Sequence, residues 1–103
     1  MAEREPIQVM LVDDHAVVRS GLGAFLLAFD DLELVADAGS GEEAVRLCQQ
    51  VQPDVVLMDL VMPDVDGLAA TRRISADWPE TRILVLTSFA GVDKIMPAIK
   101  AGA

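Results

Sequence analysis

The sequence predicts an α/β fold built on a parallel sheet, and three observations carry that expectation. Three short runs, "IQVMLV" (7–12), "DVVLM" (54–58) and "RILVL" (82–86), are almost continuously apolar and rich in β-branched residues. That is the pattern of strands buried on both faces. Amphipathic helical patterns separate them. The resulting order, βαβαβαβα, joins parallel strands through right-handed helical crossovers.

Each element has its own signal. After the first strand, "HAVVRSGLGAFLLAF" places Val18, Leu22, Phe25, Leu26 and Phe29 at spacings of three and four, which predicts one apolar helix face. "LELVADA" (32–38) alternates loosely, as an edge strand does. "SGEEAVRLCQQV" opens with Ser40 and carries Glu43 three residues later, a capping box, with Ala44, Leu47 and Val51 inward and Pro53 closing the segment. "DGLAATRRISADW" predicts a helix with Leu68, then Thr71 or Arg72, then Ile74 or Ser75 inward, stopping before Pro79. "GVDKIMPAIKAGA" reads as a last helix with Ile95 or Met96 and Ile99 inward; its Pro97 fits the first turn and would kink the helix elsewhere.

Composition narrows the function. A chain of 103 residues, 52% hydrophobic and 24% charged, makes one domain with one modest core. Its apolar runs are too short to span a bilayer, and "MAEREPIQ" has no apolar stretch of the kind a signal peptide needs. The single cysteine, Cys48, excludes an internal disulfide and is expected to be a small buried residue. These features predict a cytoplasmic protein. With 17 acidic against 8 basic residues the net charge is −9, so direct binding to a phosphate backbone is not expected. Arg72 and Arg73, the one adjacent basic pair, fit the solvated face of a helix.

Chemistry is expected where the strands end. The carboxy ends of parallel strands share one edge, where ligands of such sheets bind. Asp13 and Asp14 follow the first strand, Asp59 the third, and Thr87 and Ser88 the fourth; the second contributes only Ala38 and Gly39. A lone Asp after a strand is most often a cap or turn residue, and Asp64 and Asp66 beside Gly67 fit that role. Asp13 and Asp14 could likewise cap the first helix, but three acids from different strands on one edge are too many for caps alone. Two unit charges 4 Å apart repel by about 4 kcal/mol at an effective dielectric of 20. Such a pocket calls for a cation; carboxylate oxygens without His or Cys nearby select a hard divalent ion, and Mg2+ suits a site with few protein ligands that must also accept a phosphate. A carboxylate beside Mg2+ suits in-line attack on a phosphoryl group. His15 adjoins the acids and is expected to be a first-turn helix residue rather than an acid–base group. Gly21 and Gly23 lie mid-helix and form no dinucleotide fingerprint; their smallness suits close packing or an interface.

Together "MLVDDHAVVRSGL", "VVLMDLVMPDVDG" and "ILVLTS" resemble the receiver domain of two-component response regulators, from about residue 7 to the end of the chain. The opening "DDH" with its following Arg and Gly, and the ending "LTSF…KIMPAIKAGA", are most similar to the NarL/LuxR type, of the LiaR and VraR kind. The resemblance implies a flavodoxin-like (CheY-like), doubly wound sheet of strand order 2-1-3-4. It implies Asp59 as phosphoacceptor for a sensor histidine kinase and Thr87 as the switch hydroxyl. It further implies Mg2+ held by Asp14, Asp59 and the backbone carbonyl of Val61, with Asp13 reaching it through water, and the Val61 and Phe89 side chains tuning the phosphoryl lifetime. The output would be a change of conformation or dimerisation controlling a transcriptional domain. Receivers continue into a fifth strand bearing a lysine, then a fifth helix; Lys94 and Lys100 do not match that lysine. The expectation is therefore a single receiver domain over 1–103, incomplete at its C-terminus, reaching DNA only through an output domain outside it. That leaves "ILVLT" a bare apolar edge with three readings open: a piece of a longer receiver, a chain that adds or swaps strands with a second copy, or a shortened receiver.

Two other functions compete. A pseudo-receiver would fold alike and act as an unphosphorylated interaction module; the missing lysine favours it, and Asp13, Asp14, Asp59 and Thr87 oppose it. An aspartate-nucleophile phosphohydrolase needs a second acid two residues after the nucleophile. Val61 stands there.

Overall fold

The computed structural model describes residues 5–59, 67–86, 99, 100 and 102. Its elements are β1 (Ile7–Val12), α1 (Ala16–Leu26), β2 (Leu32–Ala38), α2 (Gly41–Val51), β3 (Val55–Asp59), α3 (Gly67–Asp77) and β4 (Arg82–Leu86). The four strands form one parallel sheet in the order β2-β1-β3-β4. This is the expected doubly wound order, with β2 at an edge as its looser alternation predicts. Register slips once, between Val9 and Met10 of β1, where Leu34 and Ala36 are their partners and Val35 is the extra residue. Of the last predicted helix, Ile99 and Lys100 are helical, Gly102 lies in a turn, and the other residues lie outside the described ones.

Alternation along the strands divides the core in two. Met10 and Val12 of β1, with Val56, Met58 and Ile83, face α2 and α3, meeting Ala44, Cys48, Ala70 and Ile74. Val9 and Leu11 face α1 and meet Leu26, with Leu22, Leu32, Leu34 and Leu57 packed around them. On α3 the structure decides between the alternatives: Thr71 and Ile74 are buried, Arg72 is exposed, and Thr71 hands its hydroxyl to the Gly67 carbonyl at 2.6 Å. Burial pushes the Cys48 thiol up to about 11, as suits an inert core residue.

The caps follow the sequence with one variation. Ser40 accepts the Glu43 N–H at 3.1 Å, and the Glu43 carboxylate reaches back to the Gly39 N–H at 2.7 Å rather than to Ser40 itself. Glu43 thereby orders the turn between β2 and α2. Gln52 ends α2 in the left-handed region at φ 45°, and Pro53 follows.

The expected apolar face of α1 is only partly realised. Leu22 and Leu26 pack on the sheet, whereas Val18, Phe25 and Phe29 are 43%, 62% and 42% exposed. Helix α1 stops at Leu26, so Phe29 leaves the helical phase; it meets Phe25 edge to face, with ring centroids 5.2 Å apart. A single helix covers this side among the described residues, and it lies over β1 and β2. Leu84 of β4, aligned with Leu57 and so on the same side, is left 57% exposed. Ile99, predicted inward, is 54% exposed.

Candidate acidic site at the carboxy edge of the sheet

Parallel pairing brings the ends of β1 and β3 side by side, with Val12 aligned to Met58. Asp13 and Asp14 follow Val12 directly, and Asp59 is the last residue of β3. As a result Asp13, Asp14, His15 and Asp59 each offer a ligand atom within 4.8 Å of the others. The sequence expectation for the three aspartates therefore holds in space. Asp59 also aligns with Leu86 of β4. Thr87 and Ser88, the next residues, lie outside the described residues, as do Val61, Asp64, Asp66 and Phe89.

The three carboxylates differ in setting. Asp13 is buried; its N–H is tied to the Ala38 carbonyl at 3.1 Å, and its Oδ1 accepts the His15 N–H at 2.8 Å. Asp14 has a side chain 24% exposed, yet its Oδ1 is buried and without a hydrogen bond. Carboxylates at these separations repel by about 3–4 kcal/mol per pair at an effective dielectric of 20. An orphaned, buried carboxylate oxygen facing two other acids is what a divalent cation would satisfy. The three carboxylates are hard oxygen donors, and a site with few protein ligands of that kind suits Mg2+, so they fit such an ion.

His15 answers part of that charge. It is the N-cap residue of α1 but makes no side-chain capping bond. Its ring folds back instead, with Nδ1 3.1 Å from Asp13 Oδ1 and 3.0 Å from Asp14 Oδ1. The hydrogen bond to Asp13, and then the charge of Asp14, hold its pKa above the ordinary 6.5. The sequence reading of His15 as a plain first-turn helix residue is off by one position, since His15 is the extended N-cap just before the helix, and it missed where the ring goes.

This sets the direction of a pH effect in the metal-free chain. A histidine whose folded pKa is raised contributes its full stabilisation below pH 6.5, and that contribution is lost as pH rises through the folded value. Thermal midpoints in EDTA are expected to fall between pH 6 and pH 8.5, and His15→Asn to fall less. Equal pH dependence in the two proteins would contradict the imidazolium's part.

One positioning residue was not assigned from sequence. Arg19, one turn into α1, donates to the Asp13 carbonyl, and its Nε lies 3.7 Å from Asp37 Oδ1 on β2. Gly39 makes room for it: a Cβ there would stand 3.2 Å from the Arg19 guanidinium. Arg19 therefore ties the β1–α1 loop to the end of β2. The signal available was Asp37, an acid in an otherwise apolar strand end, together with a lone basic residue on α1.

Comparison with known proteins gives the family. The family described as the response regulator receiver domain matches residues 9–103. The chain is 50% identical over 97 residues to the transcriptional regulatory protein LiaR of Bacillus subtilis, covering 94% of this chain and 46% of LiaR. It is 42% identical over 96 residues to VraR of Staphylococcus aureus, covering 93% and 46%. The chain thus spans about half the length of these curated relatives. Among solved structures, a LuxR-family two-component response regulator from Aurantimonas superposes with TM-score 0.88 at 37% identity, over 96% of this chain and 71% of that one. The response regulator domain of Thermotoga maritima CheB gives 0.87 at 32%, over 96% and 75%. With the strand order, the acidic edge and these likenesses in agreement, the chain belongs to the response regulator receiver domains of two-component systems, with NarL/LuxR-type relatives.

Proposed function

We propose that this chain is a phosphorylation-controlled switch in which Asp59 accepts a phosphoryl group from a sensor histidine kinase in the cytoplasm. The observation that carries the proposal is the convergence of Asp13, Asp14 and Asp59 within 4.8 Å, with Asp59 on the last residue of a central strand. Rigid strand ends can hold an attacking carboxylate in line with little conformational freedom. Asp13, Asp14, Asp59 and the Val61 carbonyl would hold Mg2+, which supplies neutralisation of charge on the transferring group. Asp13, whose Oδ1 accepts the His15 backbone N–H, stays oriented while Asp59 is modified. Thr87, next after the strand aligned with Asp59, would bond the phosphoryl oxygen and carry the change outward. As a receiver the chain is a signalling phosphoacceptor rather than an enzyme by class. LiaR and VraR are named as regulators, which supports control of a transcriptional output domain that would provide any contact with DNA. No helix among the described residues is long and apolar enough to cross a membrane.

Intact mass after incubation with acetyl phosphate tests the chemistry. One added phosphoryl group is expected in the presence of Mg2+, and none without Mg2+ or in Asp59→Asn. A folded parent chain that takes up nothing would point to an interaction module instead.

Assembly is the second part of the proposal. Among the described residues β4 pairs with β3 alone, and Leu84 on it is exposed. An exposed apolar strand residue of this kind supports association with another copy, by dimerisation or strand exchange. Sedimentation equilibrium is expected to show dimers that Leu84→Lys shifts toward monomer; identical masses for both proteins would remove this part.

A further inference from the structure

Among the described residues, one nitrogen donor stands within the acidic edge, and it belongs to the chain's single histidine. We infer that His15 coordinates the divalent ion of this edge through Nδ1, beside Asp13 and Asp14, and biases the site toward nitrogen-seeking first-row ions such as Ni2+ and Cu2+ relative to Mg2+. The inference rests on reading the cluster as a cation site.

Spacing is the first argument. Two donors bound at right angles about 2.1 Å from one ion stand about 3 Å apart. His15 Nδ1 lies 3.1 Å from Asp13 Oδ1 and 3.0 Å from Asp14 Oδ1, the separation of neighbouring ligands. Proton counting is the second. A proton on Nδ1 can serve only one oxygen, and the hydrogen-bonded one is Asp13 Oδ1. Asp14 Oδ1, as near, is buried and left without a hydrogen bond. An ion in place of that proton reaches the nitrogen and both oxygens together.

The backbone makes the ring's position durable. His15 has extended φ and ψ of −99° and 110°, and its N–H is held by Asp13 Oδ1. The side chain turns toward the acids although it is 68% exposed and solvent was open to it. That exposure also leaves a path by which an ion can enter. Imidazole nitrogen is a softer donor than carboxylate oxygen, and affinity for nitrogen-containing sites rises along the first row to Cu2+. Mg2+ gains little from a nitrogen ligand, so His15 changes the ranking of ions rather than the existence of the site. A ring kept there only as counter-charge would leave that ranking alone.

The test uses the untagged chain and His15→Asn at pH 8, where asparagine preserves a favourable N-cap for α1. Titration calorimetry with Mg2+ and with Ni2+ gives an affinity ratio for each protein. The Ni2+ to Mg2+ ratio is expected to fall about tenfold or more in the variant. Electron paramagnetic resonance of bound Cu2+ should show nitrogen hyperfine structure in the parent that the variant lacks, and with one histidine in the chain that imidazole signal has a single source. An unchanged ratio with Mg2+ still bound would overturn the role of His15 and leave the cation site standing. A parent chain that binds neither ion would overturn both.

Discussion

Replacing Asp14 with asparagine is expected to raise the thermal midpoint of the metal-free chain by about 4–8 °C while cutting Mg2+-dependent phosphoryl uptake at least about tenfold. The two effects share one cause. Asp14 stands within 4.8 Å of Asp13 and Asp59, and its buried Oδ1 accepts no hydrogen bond. Removing its charge therefore relieves two repulsions and sacrifices no hydrogen bond at that atom, though it gives up the ion pair with His15 Nδ1 at 3.0 Å. Each repulsion is about 3–4 kcal/mol at an effective dielectric of 20, reduced further by salt and by the partial exposure of the side chain. A net gain of about 1 kcal/mol is a conservative expectation. The attraction of Asp14 for His15 offsets some of it. Uptake falls because a neutral amide is a poor ligand for a hard cation. Scanning calorimetry in EDTA and intact mass with acetyl phosphate read the two quantities. A lower midpoint in Asp14→Asn would mean that the acids are already compensated in the folded chain, and the electrostatic argument for a cation would lose its basis.

Arg19→Ala is expected to weaken Mg2+ binding about 10–100-fold although Arg19 touches no ion. Its guanidinium holds the Asp13 carbonyl and faces Asp37, so it fixes the loop that presents both Asp13 and Asp14. A hydrogen bond from a charged donor is worth about 1.5–3 kcal/mol, so stability falls as well. Arg19→Lys should recover only part of either loss, since a single ammonium lacks the fork that reaches the carbonyl and the carboxylate together. Asp37→Asn separates positioning from packing: it loosens the same brace from the other side without leaving a hole. If both Arg19→Ala and Asp37→Asn bind Mg2+ as the parent does, the brace has no part in the site.

These expectations bear on how a receiver stores its readiness to react. The strands hold Asp13, Asp14 and Asp59 close at a cost in charge repulsion, and His15 and Arg19 keep the arrangement from relaxing. Strain of this kind is common where a fold has a function to perform. Stability and activity should then move in opposite directions at Asp14 and in the same direction at Arg19.

Much of this was legible in the amino-acid order. The near-continuous apolar runs and the intervening amphipathic stretches determined the parallel α/β fold, because side-chain periodicity is set locally by strand and helix geometry. The same runs determined that Asp13, Asp14 and Asp59 would share one edge, because parallel strands all end on the same side. Capping by Ser40 and Glu43 and the burial of Cys48 were likewise local matters. Tertiary structure alone decided the rest. Helix α1 rests on β1 and β2, so Phe25 and Phe29 lie outside the core although their spacing matches that of Leu22 and Leu26. The bracing of Asp13 by Arg19 depends on a contact between α1 and the end of β2. The turn of the His15 ring toward Asp13 and Asp14 depends on where the acids leave charge unanswered. Periodicity reports which face of an element is apolar; which neighbour covers that face, and which charges meet across it, is fixed by long-range packing.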